Sequence, residues 1–244
     1  MKHLFLIITL FFACKIHSQV VFAKKNYLSL KSILKTENNF IFLEKKLDSL
    51  KLTFEDQKNN YVDVFLNRDI DFNYKHKRIR VSFDNYDFQI DLITKNDSLF
   101  FKLLKTEYFK NFTYQTQNKN ELGNLINLRN EYYNSKKNLK DLSKEITTNE
   151  TYAMYCGESF SITYQGIIIQ KLVKDKDIES LTKMLSSYNC EKQSFGVLGF
   201  SLLDEINFEI PKKVLLIIEH IKKRNSELQI CSGCITGIMN KIYN

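Results

Sequence analysis

Between Tyr61 and Leu104 the chain alternates apolar and polar side chains with period two, and this stretch most narrows the folds open to it. Ile70, Phe72 and Tyr74 oppose Asp69, Asp71 and Asn73, while Ile79, Val81 and Phe83 oppose Arg78, Arg80 and Ser82. Tyr86, Phe88, Ile90 and Leu92 oppose Asp87, Gln89 and Asp91, and DSLFFKLLK supplies a fifth strand apolar on both faces. Such alternation turns one face of a strand to a core and the other to water. Polar breaks at Asn67-Arg68, Lys75-His76-Lys77, Asp84-Asn85 and Lys95-Asn96-Asp97 read as hairpin turns. The expectation is a five-stranded antiparallel meander with Asp63, Asp69, Asp71 and Asp91 on its solvated side.

A meander with one apolar face must bury it against another layer. Helical patterns flank it on both sides. FIFLEKKLDSL carries Leu43, Leu47 and Leu50 at helical spacing, and the stretch from Asn120 to Ile146 reads as one long helix capped by Asn120. Beyond Ile162 four amphipathic stretches follow: GIIIQKLVK, DIESLTKMLSS capped by Asp177, EKQSFGVLGFSLLDEI, and PKKVLLIIEHIKKR opened by Pro211. Short links between them predict antiparallel helical hairpins. The fold class is therefore α+β. The expected division is a β-meander domain over 19–117, a long covering helix over 118–149 and an α-helical domain over 150–244.

The start of the chain predicts export. Met-Lys-His precedes LFLIITLFFA, a run too short for a membrane span of roughly 20 residues. Cleavage after Ser18 would leave Gln19 first, removing 1–18. Alternatively, Leu10-Phe11-Phe12-Ala13-Cys14 resembles a bacterial lipobox, in which 1–13 is removed and Cys14 is lipidated. The net charge of +8 is interleaved with acids, so it reads as a solvated surface and not as a nucleic-acid footprint. Membrane contact is expected only through a possible N-terminal lipid.

The pair of stretches DIESLTKMLSSYNCEKQSFGVLGFSLLDEI places Ile178, Leu181 and Leu185 in a first helix. A polar turn follows at Ser187-Tyr188-Asn189, and Gly196 and Gly199 lie within the second helix. This arrangement resembles one unit of a HEAT-type helical repeat, with a degenerate partner over 211–237. Gln193 stands where the family usually has an arginine, and the first helix lacks the usual proline. The resemblance implies close helix packing and a binding architecture; it carries over no catalytic residue.

Seven glycines, one proline and four histidines leave little room for phosphate-cradling glycine loops or multi-histidine chemistry. His76 is expected in a turn with its basic neighbours and His220 on the polar side of its helix. Four cysteines follow the export segment: Cys156, Cys190, Cys231 and Cys234. Four cysteines allow three connectivities in an oxidising compartment, the simplest being Cys156 with Cys190 and Cys231 with Cys234. In a second reading, QICSGCITG forms a dithiol at a helix start, Cys231 attacking and Cys234 resolving. The four thiols are also a chemically possible zinc set. A third reading places a ligand between sheet and helix, in a pocket lined by Phe72, Phe88 and Tyr132. The functional expectation is an exported, non-enzymatic protein without a cofactor, working through contacts with a protein of the cell envelope. The alternative is a thiol–disulfide protein using Cys231 and Cys234.

Overall fold

The computed structural model describes residues 21, 23–53, 60–83, 86–106 and 113–243. The expected export segment 1–18, with Cys14 and Ser18, and Gln19 after it lie outside the described residues, as does Asp84-Asn85. The protein is α+β and divides into two compact units: residues up to Phe65 with Arg78–Gln117, and Leu66–Lys77 with Asn118–Asn244. Among the described residues no helix is long and apolar enough to cross a membrane.

Unit 1 holds the body of an antiparallel meander whose strands pair in chain order. These are β1 (Tyr61–Asp71), β2 (Tyr74–Phe83), β3 (Tyr86–Lys95), β4 (Ser98–Thr106) and β5 (Tyr114–Gln117). The apolar residues fall on one face because Phe88, Ile90 and Leu92 pair with Thr106, Leu104 and Lys102 in register. That face packs under two helices, α1 (23–36) and α2 (Phe40–Thr53). Tyr27, Leu30 and Leu34 of α1 and Phe40, Leu43 and Leu47 of α2 close over Ile79, Val81, Phe83, Ile90 and Leu104. Helix α1 was not anticipated, although its buried residues recur at helical intervals.

Two of the expected breaks are not turns, so DSLFFKLLK, expected as the fifth strand, lies in β4, and the fifth strand is β5, beyond the alternating stretch. β1 runs straight through Asn67-Arg68 and β2 through Lys75-His76-Lys77, while the chain reverses at Phe72-Asn73. Both turn residues have positive φ, 53° and 66°, the geometry of a two-residue I′ hairpin loop. Asn96-Asp97 makes the β3–β4 turn in the same way, with φ of 50° and 61°. The supposedly solvated face is also partly closed. In unit 1, Asp91 is fully buried and accepts from Arg78 Nε at 2.7 Å and Gln89 Nε2 at 2.6 Å. On the other, helix-covered face Lys102, paired with Leu92, is buried too, and its Nζ donates to the Glu37 carbonyl at 2.6 Å and to Asn38 Oδ1 at 2.9 Å.

Unit 2 begins with the outer end of the β1–β2 hairpin, residues 66–77. The expected long helix is two: α3 (Lys119–Tyr133), capped by Asn118 and not Asn120, and α4 (Leu139–Ile146). Asn134 ends α3 in the left-handed conformation, and Asn138 with Asp141 forms a reciprocal capping box that restarts α4. A small ribbon of β6 (Tyr155–Cys156) and β7 (Ser161–Ile162) follows. Next come α5 (Tyr164–Lys174), α6 (Ile178–Leu185), α7 (Cys190–Glu205) and α8 (Lys212–Arg224). Asp177 caps α6 as expected, whereas Pro211 occupies the cap position of α8 and not its first turn. Residues 228–240 form a second hairpin, β8 (Leu228–Ser232) with β9 (Ile235–Asn240), so the expected partner repeat over 211–237 has one helix only.

The core of unit 2 collects Ile169, Leu181, Leu185, Phe195, Phe200, Leu203, Ile217 and Ile221. Helices α6 and α7 approach closely at the two glycines. A Cβ on Gly199 would lie 2.4 Å from Leu181 Cδ2, and one on Gly196 would lie 3.0 Å from Met184 Cβ.

Candidate functional site

The chemistry-bearing residues of unit 2 fall into four places: an interior ion cluster, a disulfide between two ribbons, an apolar groove and a lysine-rich cleft.

The ion cluster centres on Asp71, the last residue of β1, whose carboxylate is fully buried. Its Oδ1 meets Arg224 Nη1 at 2.5 Å and His220 Nε2 at 2.8 Å; its Oδ2 meets Arg129 Nη1. Tyr133 donates its hydroxyl to the same carboxylate at 3.1 Å. Beside it, buried Arg68 donates to Glu191 Oε1 at 2.6 Å, and the Gln229 backbone N–H donates to that oxygen at 2.9 Å. Burial raises the Glu191 carboxyl, but the Arg68 guanidinium and these hydrogen bonds outweigh it and hold the group below its ordinary range. Three guanidiniums thus share two carboxylates. The guanidiniums also donate to protein acceptors, Arg129 to the Ile70 and Ser187 carbonyls and Arg224 to Ile70 O and Gln193 Oε1. The arrangement clamps the hairpin tip to α3, α7 and α8, because leaving any of these charges buried and unpaired costs several kcal/mol.

Asp71 and His220 lie 149 residues apart in sequence, which hides their pairing from any motif search. His220 is not on a purely polar helix side: Tyr132 packs its ring 4.7 Å from the imidazole centroid. Burial and the charges of Arg224, Arg129 and Lys223 hold the imidazole below its usual value, and because the Asp71 carboxylate can only accept, Nε2 is the nitrogen that donates to it. His76 is fully buried on β2 and is not a turn residue.

The cysteines pair as Cys156 with Cys231, with 5.9 Å between their Cα atoms. The expected bridges Cys156–Cys190 and Cys231–Cys234 are not formed: Cys190 is a buried free thiol and Cys234 an exposed one. QICSGCITG fails as a helix start because Gly233-Cys234 is the two-residue loop of a hairpin, with Ser232 and Ile235 paired and Gly233 at φ 60°. The disulfide joins two ribbons that backbone bonds already align, Tyr152 N to Gln229 O at 2.7 Å and Gly157 N to Gly233 O at 2.9 Å. Cys190 instead opens α7, its sulfur 4.0 Å from Arg224 Nη2. Among the described residues no cluster of His, Cys, Asp and Glu has metal-holding geometry. The expected ligand-lining residues do not share one pocket: Phe88 is packed in the unit 1 core, while Phe72 meets Tyr132 in a T-shaped contact, ring centroids 6.1 Å apart, in unit 2.

A groove of about 610 Å³ runs between α5 and α7, lined by Met154, Tyr155, Val173, Leu198, Leu202 and Ile206. Tyr155 and Ile206 are half exposed at its rim, and Tyr164 and Ile167 continue the apolar surface along α5. A separate cleft of about 710 Å³ opens where the α3–α4 loop faces α5, α6 and the start of α7, with Lys136, Lys137, Lys183 and Lys192 around it. No signal in the sequence marked either one, since each is assembled from helix faces brought together by the fold. Comparison of the chain with family models, curated proteins and solved structures finds no match.

Proposed function

We propose that this chain is an exported, disulfide-pinned protein that works without catalysis, by docking an apolar segment of another envelope protein in the α5–α7 groove. The observation that carries the reading is the groove itself. It is mainly apolar, with Lys174 and Glu205 as its two charged lining residues, and exposed apolar surface continues beyond it along α5. Contiguous exposed apolar surface of this kind marks places where proteins bind one another. The close α6–α7 packing at Gly196 and Gly199 is of the sort a HEAT-like pair uses to present helix faces. Export is supported by the N-terminal segment 1–18 and by the Cys156–Cys231 bridge, which persists in an oxidising compartment.

The test is site-specific photocrosslinking in the native host, with a crosslinking side chain in place of Gln170 in the groove. The expected result is one discrete adduct that Leu198→Asp abolishes. Adducts equally strong from a crosslinker at exposed Lys212, or surviving Leu198→Asp, would sink the docking reading.

A thiol–disulfide role is the second reading, resting on Cys234, an exposed thiol in the turn that follows bonded Cys231. Attack of the Cys234 thiolate on the Cys231 sulfur would form a Cys231–Cys234 bond and release Cys156 as the thiolate, with no net oxidation. Intact mass after alkylation separates the two. If Cys234 alone takes label until the protein is unfolded, the bridge is structural; a Cys231–Cys234 peptide under native conditions favours exchange.

A further inference from the structure

The lysine-rich cleft of unit 2 is built to a degree that a solvated charged surface does not require. Its wall is the loop between α3 and α4, held rigid by one side chain: Asn130 Oδ1 accepts from Ser135 Oγ at 2.8 Å and Lys137 N at 2.9 Å, and its Nδ2 donates to the Lys137 carbonyl at 2.8 Å. Apolar surface from Tyr133, Ile168, Leu172 and Met184 also lines the cavity. The volume of about 710 Å³ is in the range that encloses a small organic molecule.

The two acids lining the cleft are already committed. Asp141 Oδ2 accepts the Asn138 backbone N–H at 2.9 Å. Glu145 takes Lys137 Nζ on one oxygen; its other oxygen accepts Tyr188 N at 2.7 Å and Ser187 Oγ at 3.1 Å. Among the described residues Lys183 pairs with exposed Glu179, a bond that water screens. Among the described residues, Lys136 and Lys192 have no carboxylate within ion-pairing distance; the charge of Lys192 does reach the Glu150 carboxyl, which burial nonetheless holds above its ordinary range. The uncommitted charge facing the cavity is therefore positive, beside an apolar wall.

We infer that this cleft binds a small amphiphilic organic anion, its acidic head between Lys136 and Lys192 and its apolar body against Tyr133, Ile168, Leu172 and Met184. The site is distinct from the α5–α7 groove, and the inference does not depend on the docking role proposed for that groove. Lysine ammonium groups give such a head charge-assisted hydrogen bonds, and the adjoining apolar wall rejects ions that have no body to bury.

The probe is 8-anilinonaphthalene-1-sulfonate, which joins a sulfonate to an aromatic body, titrated by fluorescence into the full exported chain. Its uncharged relative N-phenyl-1-naphthylamine serves as the neutral comparison. One saturable site is expected, weakened about tenfold in Lys136→Gln/Lys192→Gln, as for the loss of a charge-assisted hydrogen bond. The same site should be retained in Lys136→Arg/Lys192→Arg and displaced by octanoate but not by inorganic phosphate. Binding of the neutral probe should be the same in wild type and the glutamine variant. Lys136 is exposed and Lys192 half-buried, and the circular dichroism of each variant reports that it is folded. The inference is overturned if the glutamine variant binds the sulfonate as tightly as wild type. It is equally overturned if phosphate displaces the probe as well as octanoate does, or if Leu198→Asp in the other groove removes the signal.

Discussion

Replacing Asp71 by alanine would leave Arg129 and Arg224 in the interior without their carboxylate, and would deprive the Tyr133 hydroxyl and His220 Nε2 of an acceptor. Breaking a buried ion pair from one side costs about 3–5 kcal/mol, so Asp71→Ala should lower the urea midpoint of unit 2 severely. Asp71→Asn, which keeps the shape and one acceptor oxygen, should cost less. His220 supplies a pH dependence. Its folded value is held below the ordinary 6.5, chiefly by burial. Near that pH the unfolded chain takes up a proton that the folded chain refuses, so the stability present above it is lost as pH falls toward the folded value. Lowering the pH from about 7.5 to about 5.5 should therefore shift the urea midpoint less in His220→Gln than in wild type. None of this was legible at the residue scale. Alternation assigns Asp71 and Asp91 to a solvated face because it sees each strand alone, whereas Asp71 meets partners from distant helices and Asp91 pairs with Arg78 of the neighbouring strand.

At the scale of single elements, α3 and α7 each contain glycine in a helical interior, with opposite consequences. Gly123 of α3 has nothing within 4 Å of where a Cβ would stand, so Gly123→Ala should stabilise by roughly 0.5–1 kcal/mol through helix propensity and a less disordered unfolded chain. Gly199 of α7 faces Leu181, which is itself fully buried and has nowhere to retreat. Gly199→Ala should cost about 1–3 kcal/mol, and Leu181→Ala in the same chain should recover part of that loss in a double-mutant cycle. Thermal melts of the variants check both. The elements themselves were largely readable: four of the five strands, α2 and α5–α8 follow their apolar spacing. The failures have physical causes. Asn134 and Asn138 with Asp141 carry the stop and restart of a helix in plain view, yet the continuing leucine period masks them. Turn chemistry misled in the other direction, since Lys75-His76-Lys77 is polar enough for a loop but is strand interior, whereas Phe72, a poor turn residue by type, makes the reversal at positive φ.

For the whole molecule, two units with separate cores imply two unfolding events. The Cys156–Cys231 bridge spans 75 residues, all of them in unit 2. Reduction should therefore weaken that unit by about 4–5 kcal/mol in the chain-entropy account and leave the sheet-and-helix unit unchanged. Calorimetry with and without reductant should show one transition moving and one fixed. The helical half and its four cysteines were visible in the sequence, but the pairing was not, because the ribbons that align Cys156 with Cys231 form from short segments of weak pattern.

The hairpin tip 66–77 has a consequence for how the molecule is made. Unit 2 is discontinuous, and its central anion is contributed from a part of the chain that emerges long before the helices bearing Arg129, His220 and Arg224. During synthesis the tip must wait, its carboxylate still hydrated, until α8, the last of the described helices, arrives. A fragment of residues 118–244 made alone is then an incomplete half of a two-piece lock, with guanidiniums placed for an absent acid. Supplying residues 61–83 as a separate peptide should restore protection of its helical amides from hydrogen exchange. The same peptide with Asp71→Ala should not.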